Sequence, residues 1–200
     1  MAWRIVVPLR LSDAKTRLSA QPAPRRRELA VAMARDVVTA AQNCDACAEV
    51  VLVADAEGLE AMLHHARGLT PVMDPGEGLN AAVLAGAAGA SGPVAAVLAD
   101  VPCATPRTLA LALAACAEDG GFVCDAEGVG TTIVAAARLE DLRPRFGPRS
   151  RAAHASEGIP EIVDPVPGSL AGLRRDVDSE VDLWDARRLG VGAFTRAIVG

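Results

Sequence analysis

The 200 residues contain no Tyr, two Trp and three Phe. A protein that grips single-stranded nucleic acid needs aromatic platforms on which bases stack, so that function is not expected. The core must instead be aliphatic and rich in Ala, which suits helices packed closely on a parallel sheet. Lysine is nearly missing as well: Lys15 stands alone against nineteen arginines. A net charge of -5 excludes a general polyanion-binding surface. The cysteines Cys44, Cys47, Cys103, Cys116 and Cys124 are odd in number and dispersed, so no secreted disulfide framework is indicated. Cys44 and Cys47 form a CxxC, but no second pair completes a zinc site. The motif also follows a predicted helix instead of opening one, as a redox motif would. Residues 78–99 carry no charge, yet Ser91-Gly-Pro93 splits them into a helix and a short strand, so they read as buried core and not as a membrane span. No long apolar stretch with a cleavage signature opens the chain. A signal peptide is therefore not expected, and the expected location is cytoplasmic.

The length and the 51% hydrophobic content fit one domain. Strand-like runs at 5–8, 50–54, 70–73 and 94–99 alternate with helical patterns at 25–41, 57–66, 79–90 and 106–117. In the first of these helices Leu29, Met33, Val37 and Ala40 share a face; the last has Pro106 in its first turn. Such alternation predicts a three-layer α/β/α fold with a mostly parallel sheet. Ligands on such sheets bind at the carboxyl ends of strands, here the 8–17 loop, the 74–80 loop and Asp100. Residues 121–125 and 131–136 read as two further strands around a Gly-rich turn. Residues 143–156 are basic and then helical, 164–172 a Pro/Gly-rich loop. Residues 179–189 form a helix, with Ser179 as N-cap and Asp182 at the capping-box position.

Five features carry chemistry. Lys15 follows the first strand, where a compact ammonium on a flexible stem can enter a tight phosphate site as a point charge. Asp100, in Val97-Leu-Ala-Asp100-Val-Pro102, leaves the end of a buried strand and can hold Mg²⁺ over a nucleotide phosphate. In Arg174-Arg-Asp176-Val-Asp178, an extended backbone would point both carboxylates the same way, and they repel unless a cation lies between them. In Asp74-Pro-Gly76-Glu-Gly78-Leu-Asn80 the glycines permit close backbone approach, and Asn80 can pair with a base edge or a ribose. Lastly, Gly128-Val-Gly130-Thr-Thr132 precedes a run with Arg143, Arg145, Arg149, Ser150 and Arg151, a seat for a small phosphorylated acid. Taken singly, each also fits a plain structural role. His64 and His65 read as inert surface residues, and His154 as structural.

Together these features resemble the nucleotide-diphospho-sugar transferase-like fold of the glycosyltransferase-A type. More closely, the chain resembles the phosphoenolpyruvate or 2-phospho-L-lactate guanylyltransferases of deazaflavin coenzyme F-420 biosynthesis. The resemblance rests on Pro8, Ala14-Lys-Thr-Arg-Leu18, Asp74-x-Gly-x-Gly-Leu-Asn80, Asp100-x-Pro102 and Gly130-Thr-Thr132. It continues in Phe146-Gly-x-x-Ser-Arg-x-x-His154, Arg175-Asp-Val-Asp178 and Asp182-Leu183. Arg10 departs from it, since the family commonly has Lys there.

The resemblance implies transfer of GMP from GTP to phosphoenolpyruvate. The alternatives are 2-phospho-L-lactate or 3-phosphoglycerate as acceptor, a related nucleotidyltransferase for a sugar phosphate or molybdopterin, or a non-catalytic nucleotide-binding protein. It implies a nucleotide-binding half over 1–120 and an acceptor-binding half over 121–200. Lys15 and Asp100 would be catalytic. Pro8, Lys15, Arg17, Asp74, Gly76, Gly78 and Asn80 would bind the nucleotide. Thr132, Gly147, Arg149, Ser150 and Arg151 would seat the acceptor, and Asp100, Asp176 and Asp178 would hold Mg²⁺. Expected partners are GTP, a small phosphorylated carboxylic acid, the next pathway enzyme as recipient of the product, and a second copy of the chain, with no nucleic acid and no membrane.

Overall fold

Strand runs apolar on both faces, separated by amphipathic helices, close into one sheet covered on both sides. The computed structural model describes residues 2–11, 18, 21–63 and 68–200. The elements are β1 (Trp3–Leu9), α1 (Ala23–Gln42), β2 (Cys47–Ala54), α2 (Ala56–Leu63), β3 (Leu69–Met73), α3 (Leu79–Ala87), β4 (Val94–Val97) and α4 (Pro106–Ala115). After them come β5 (Gly121–Cys124), β6 (Thr131–Ala136), α5 (Ser150–Ser156), α6 (Ala171–Arg174), α7 (Glu180–Leu189) and α8 (Ala193–Val199).

The strand order is β3-β2-β1-β4-β6-β5. β1 runs parallel to β2 and β4, and β2 to β3. β6 is antiparallel to both β4 and β5, because a short hairpin can only return the chain in the opposite direction. Succession reverses between β1 and β4, so a crevice opens outside the carboxyl ends of those two strands.

Side chains alternate between two cores, as the twofold period of a strand requires. Ile5, Val7, Leu52, Val97 and Ile133 pack with Val37 of α1 and Leu109 of α4. Val6, Val51, Val53, Ala96 and Val134 pack with Val83 of α3 and with Phe146. Burial on both faces explains the unbroken apolar runs at 5–9, 50–54 and 94–97. α3 lies close to the sheet because Gly86 has no side chain; a Cβ there would sit 2.5 Å from Val6 Cγ1 and 2.6 Å from Val53 Cγ2. A third cluster joins Leu29 and Met33 of α1 to Cys103, Val177 and Ala186.

Several boundaries move. β2 starts at Cys47, so the second cysteine of the CxxC lies in a strand, and all five cysteines are free thiols. α3 stops at Ala87, short of residue 90. The described part of α2 ends at Leu63, and His64 and His65 lie outside the described residues. The 164–172 loop ends in the single-turn helix α6.

α8 has no counterpart in the sequence reading. Its capping group is remote: Asp36 of α1 accepts from the Phe194 N–H (3.0 Å) and the Thr195 N–H (2.9 Å). A Cβ at Gly192 would overlap that carboxylate. Asp36→Ala therefore leaves two N–H groups at the start of α8 without their acceptors, Thr195 being fully buried. Loss of about 1–3 kcal/mol of stability is expected. Chemical denaturation checks this, and an unchanged midpoint would contradict the capping role.

Candidate functional site

β4 ends at Val97, and the chain leaves it through Leu98, Ala99 and Asp100. The Leu98 N–H still donates to the Thr132 carbonyl at 2.9 Å, so the exit is held against β6. Two residues on, the Asp100 carbonyl accepts from the Val177 N–H at 2.9 Å. Val177 is fully buried, and its side chain anchors the stretch between α6 and α7. The neighbouring Asp176 and Asp178 are only partly buried.

Asp176 is the electrostatic centre of the site. Burial first, then the negative charges of Asp100, Asp178, Glu127 and Asp125, push its carboxyl up to about 7. Asp125, Glu127 and Asp176 each place one carboxylate oxygen within 4.8 Å of the other two. Asp125 is fixed by the hairpin it opens, accepting from the N–H groups of Val129 (2.8 Å) and Gly130 (2.6 Å). Glu127 is shared with Arg175, whose guanidinium also bonds Asp182 and approaches Asp185. Asp182 closes the capping box with Ser179 and accepts from the Asp178 N–H at 3.2 Å. An all-oxygen set of convergent carboxylates, one of them hard to ionise beside the others, fits a hard divalent cation.

Two cavities meet at this cluster. One of about 720 Å³ is lined by Asp125, Thr131, Gly147, Arg149, Ser150 and Asp176, among others. The other, of about 280 Å³, lies outside β1 and β4 and is lined by Pro8, Arg10, Met33 and Asp100. Leu79, Leu98 and Asp178 border both.

The residues singled out in the sequence fall into three groups. Pro8, Asp100, Gly147, Arg149, Ser150, Asp176 and Asp178 line one or both cavities. Lys15 and Arg17 lie outside the described residues. The remainder are placed elsewhere. Asp74 binds Arg10 (2.8 Å) and the Gly76 N–H (2.8 Å). Desolvation would raise its carboxyl, but those two partners outweigh it and hold the group below its ordinary value. Gly76 and Gly78 both take positive φ, and Gly78 is the N-cap of α3. Asn80 is bonded to the backbone of Phe146. The Thr132 hydroxyl donates to the Val123 carbonyl, and its neighbour Thr131 is the threonine lining the larger cavity. Arg151 is bound to Glu161 (2.9 Å) and the Gly128 carbonyl (3.0 Å).

Sequence reasoning missed Asp125, Glu127 and Thr131. A usable signal existed for the first, since Asp125 leaves β5 just as Asp100 leaves β4.

Segment 143–151 supplies the positive counterpart. Arg145 pairs with Glu157 and Arg151 with Glu161. Arg149 makes no ion pair with any described residue. It is also the only described non-glycine residue at positive φ (φ 58°, ψ 35°), a conformation that clusters at functional sites. His154 of α5 is fully buried. Its Nε2 accepts from the Arg145 N–H at 2.9 Å, and its Nδ1 lies 3.0 Å from Thr131 Oγ1. Burial lowers its pKa, and the neutral ring is what the accepting nitrogen requires.

Comparison with known proteins bears on this architecture. The model of a family described as "Guanylyl transferase CofC like" matches residues 3–158. The chain belongs to this family. It is 43% identical to a phosphoenolpyruvate guanylyltransferase of Thermomonospora curvata, over 99% of the chain and 89% of that protein. It is 42% identical to one of Streptomyces coelicolor, over 99% and 96%. Among solved structures, a nucleotidyl transferase from Methanothermobacter thermautotroptrophicus superposes with a TM-score of 0.63 at 18% identity, over 98% of this chain and 99% of that one. A 4-diphosphocytidyl-2C-methyl-D-erythritol synthase gives 0.61 at 11% identity, over 94% and 98%. The family fold is thus the nucleotidyltransferase type expected from the sequence.

The raised Asp176 pKa has a definite sign. The group is easier to protonate folded than unfolded, where its reference value is 3.8. Its charge therefore opposes folding increasingly as pH rises from about 4 to about 7, and fully above that. In metal-free protein, Asp176→Asn should raise Tm at pH 8 by roughly 2–4 °C or more, and by less at pH 5. Thermal melts with chelator check this; a lower Tm than the parent at pH 8 would refute the assigned repulsion.

Proposed function

We propose that the protein transfers GMP from GTP to phosphoenolpyruvate, giving enolpyruvoyl-diphospho-5'-guanosine and pyrophosphate, in coenzyme F-420 biosynthesis. The observation that carries this reading is the carboxylate cluster at the junction of two cavities, in a family of guanylyl transferases. Near full-length similarity to phosphoenolpyruvate guanylyltransferases supports that acceptor over 2-phospho-L-lactate or 3-phosphoglycerate.

GTP takes the smaller cavity and the crevice beyond it, with its phosphates towards Asp100; the family resemblance gives Lys15 the role of contacting those phosphates. The phospho-acid takes the larger cavity, where Arg149, Gly147 and Ser150 meet its anionic groups. An acceptor phosphate oxygen attacks the α-phosphorus in line; one P–O bond forms while the bond to the β-phosphate bridging oxygen breaks. That acceptor is ionised at neutral pH, its second pKa being roughly 6, so no strong base is required. Asp100, Asp176 and Asp178 would hold Mg²⁺, with Asp125 and Glu127 beside Asp176. When bound, the cation supplies charge neutralisation at the phosphate oxygens. The protein's remaining task is to orient two anions towards each other. The enzyme works in the cytoplasm; among the described residues no helix is long and apolar enough to cross a membrane.

Pyrophosphate release measured with GTP, Mg²⁺ and each phospho-acid in turn tests the reaction. Phosphoenolpyruvate should be the preferred acceptor. Asp100→Asn keeps the side chain's size but loses its charge, and should lower turnover by about 100-fold or more with the fold intact. Activity within about tenfold of the parent, a barrier change near 1.4 kcal/mol, would show the metal assignment to be wrong.

A further inference from the structure

We propose that Asn80 is a positioning residue for the acceptor side of the site and not a reader of the nucleotide. This assignment rests on the guanylyl transfer proposed above. Asn80 lies in the first turn of α3, where its place after a glycine loop suggests contact with a base or ribose. Its amide is instead engaged twice by one residue 66 positions away. Nδ2 donates to the Phe146 carbonyl at 3.0 Å, and Oδ1 accepts from the Phe146 N–H at 2.8 Å. The amide's orientation follows from these partners, since turning it over would set donor against donor and acceptor against acceptor.

This clasp holds the start of the segment that presents Arg149. The preceding N–H, of Arg145, is held by His154 from α5. Two successive backbone N–H groups are therefore fixed by side chains outside the segment. Beyond them Gly147 takes φ 138° and Arg149 φ 58°. A non-glycine residue stays left-handed only where its surroundings over-determine the backbone. Phe146 contributes by stacking edge-on against His154, ring centres 5.4 Å apart. A shift of the first turn of α3 thus reaches Phe146 directly.

The test compares Asn80→Ala and Asn80→Asp with the parent by steady-state kinetics and by backbone hydrogen exchange. In Asn80→Ala, amides of segment 145–150 should exchange about tenfold faster, as loss of a bond to the backbone implies, while α1 is unchanged. The KM for phosphoenolpyruvate should rise about tenfold or more while that for GTP stays within about twofold, because misplacement affects only the acceptor. Asn80→Asp keeps an acceptor for the Phe146 N–H but sets a carboxylate against the Phe146 carbonyl. It should share the acceptor defect while the Phe146 amide stays protected. A guanine-reading residue would behave oppositely, since a carboxylate accepts well from the N–H groups of the guanine edge and would preserve GTP binding in Asn80→Asp alone.

Unchanged exchange in segment 145–150 overturns the proposal. So does a rise in the GTP KM with the acceptor KM unmoved, or faster exchange throughout the protein. If the parent turned over no phospho-acid, the functional reading would have failed, and the exchange data would still decide whether Asn80 holds the segment.

Discussion

One backbone hydrogen bond organises the site, from the Val177 N–H to the Asp100 carbonyl. β4 delivers Asp100 to the sheet's carboxyl edge but cannot by itself bring other carboxylates there. The bond fastens the stretch before α7 to that exit, with Val177 sunk in the core and Asp176 and Asp178 on either side of it in sequence. A second bond, from the Gly192 N–H to the Pro102 carbonyl, fastens the same exit two residues further on. Asp36 then caps α8 beyond it. The C-terminal segment thus completes a site begun by the N-terminal strands.

The electrostatic consequence is a concentration of negative charge that the protein only partly offsets. Arg175 offsets Glu127, Asp182 and Asp185, yet Asp176 stays easier to protonate than an ordinary carboxylate. Arg145 and Arg151, which the sequence places beside the acceptor, pair with Glu157 and Glu161. Planar guanidinium forks suit such fixed pairs. Arg149 lines the larger cavity, so one basic segment contains both paired and cavity-facing cations.

The sheet was legible because buried strands and amphipathic helices have different periods, and because Pro106, Ser179 and Asp182 mark helix starts by local chemistry. α8 was not, since its cap comes from Asp36, remote in sequence. The carboxylates at 100, 176 and 178, which gather around Asp176, were visible as strand-end and paired acids. Asp125 read as a strand end and Glu127 lay in the Gly-rich turn after it, and only folding of the β5–β6 hairpin against the stretch before α7 brings them to Asp176. The choice between Thr131 and Thr132 depends on which face of β6 meets the cavity, and two adjacent threonines leave that open. Asn80 stands after a glycine loop, where the sequence suggests a nucleotide contact; its bonds to the Phe146 backbone, 66 residues away, become visible only in the fold.

The central claim is that the carboxylate cluster acts through a cation and not as a proton acceptor. A Mg²⁺ titration of Asp178→Asn at pH values of about 6.5 and 8.5, both near or above the acceptor phosphate's second pKa of roughly 6, tests it most directly. The account predicts that the variant needs more Mg²⁺ for half-maximal rate and recovers as Mg²⁺ is raised, at both pH values. Recovery with pH, and none with Mg²⁺, would contradict it.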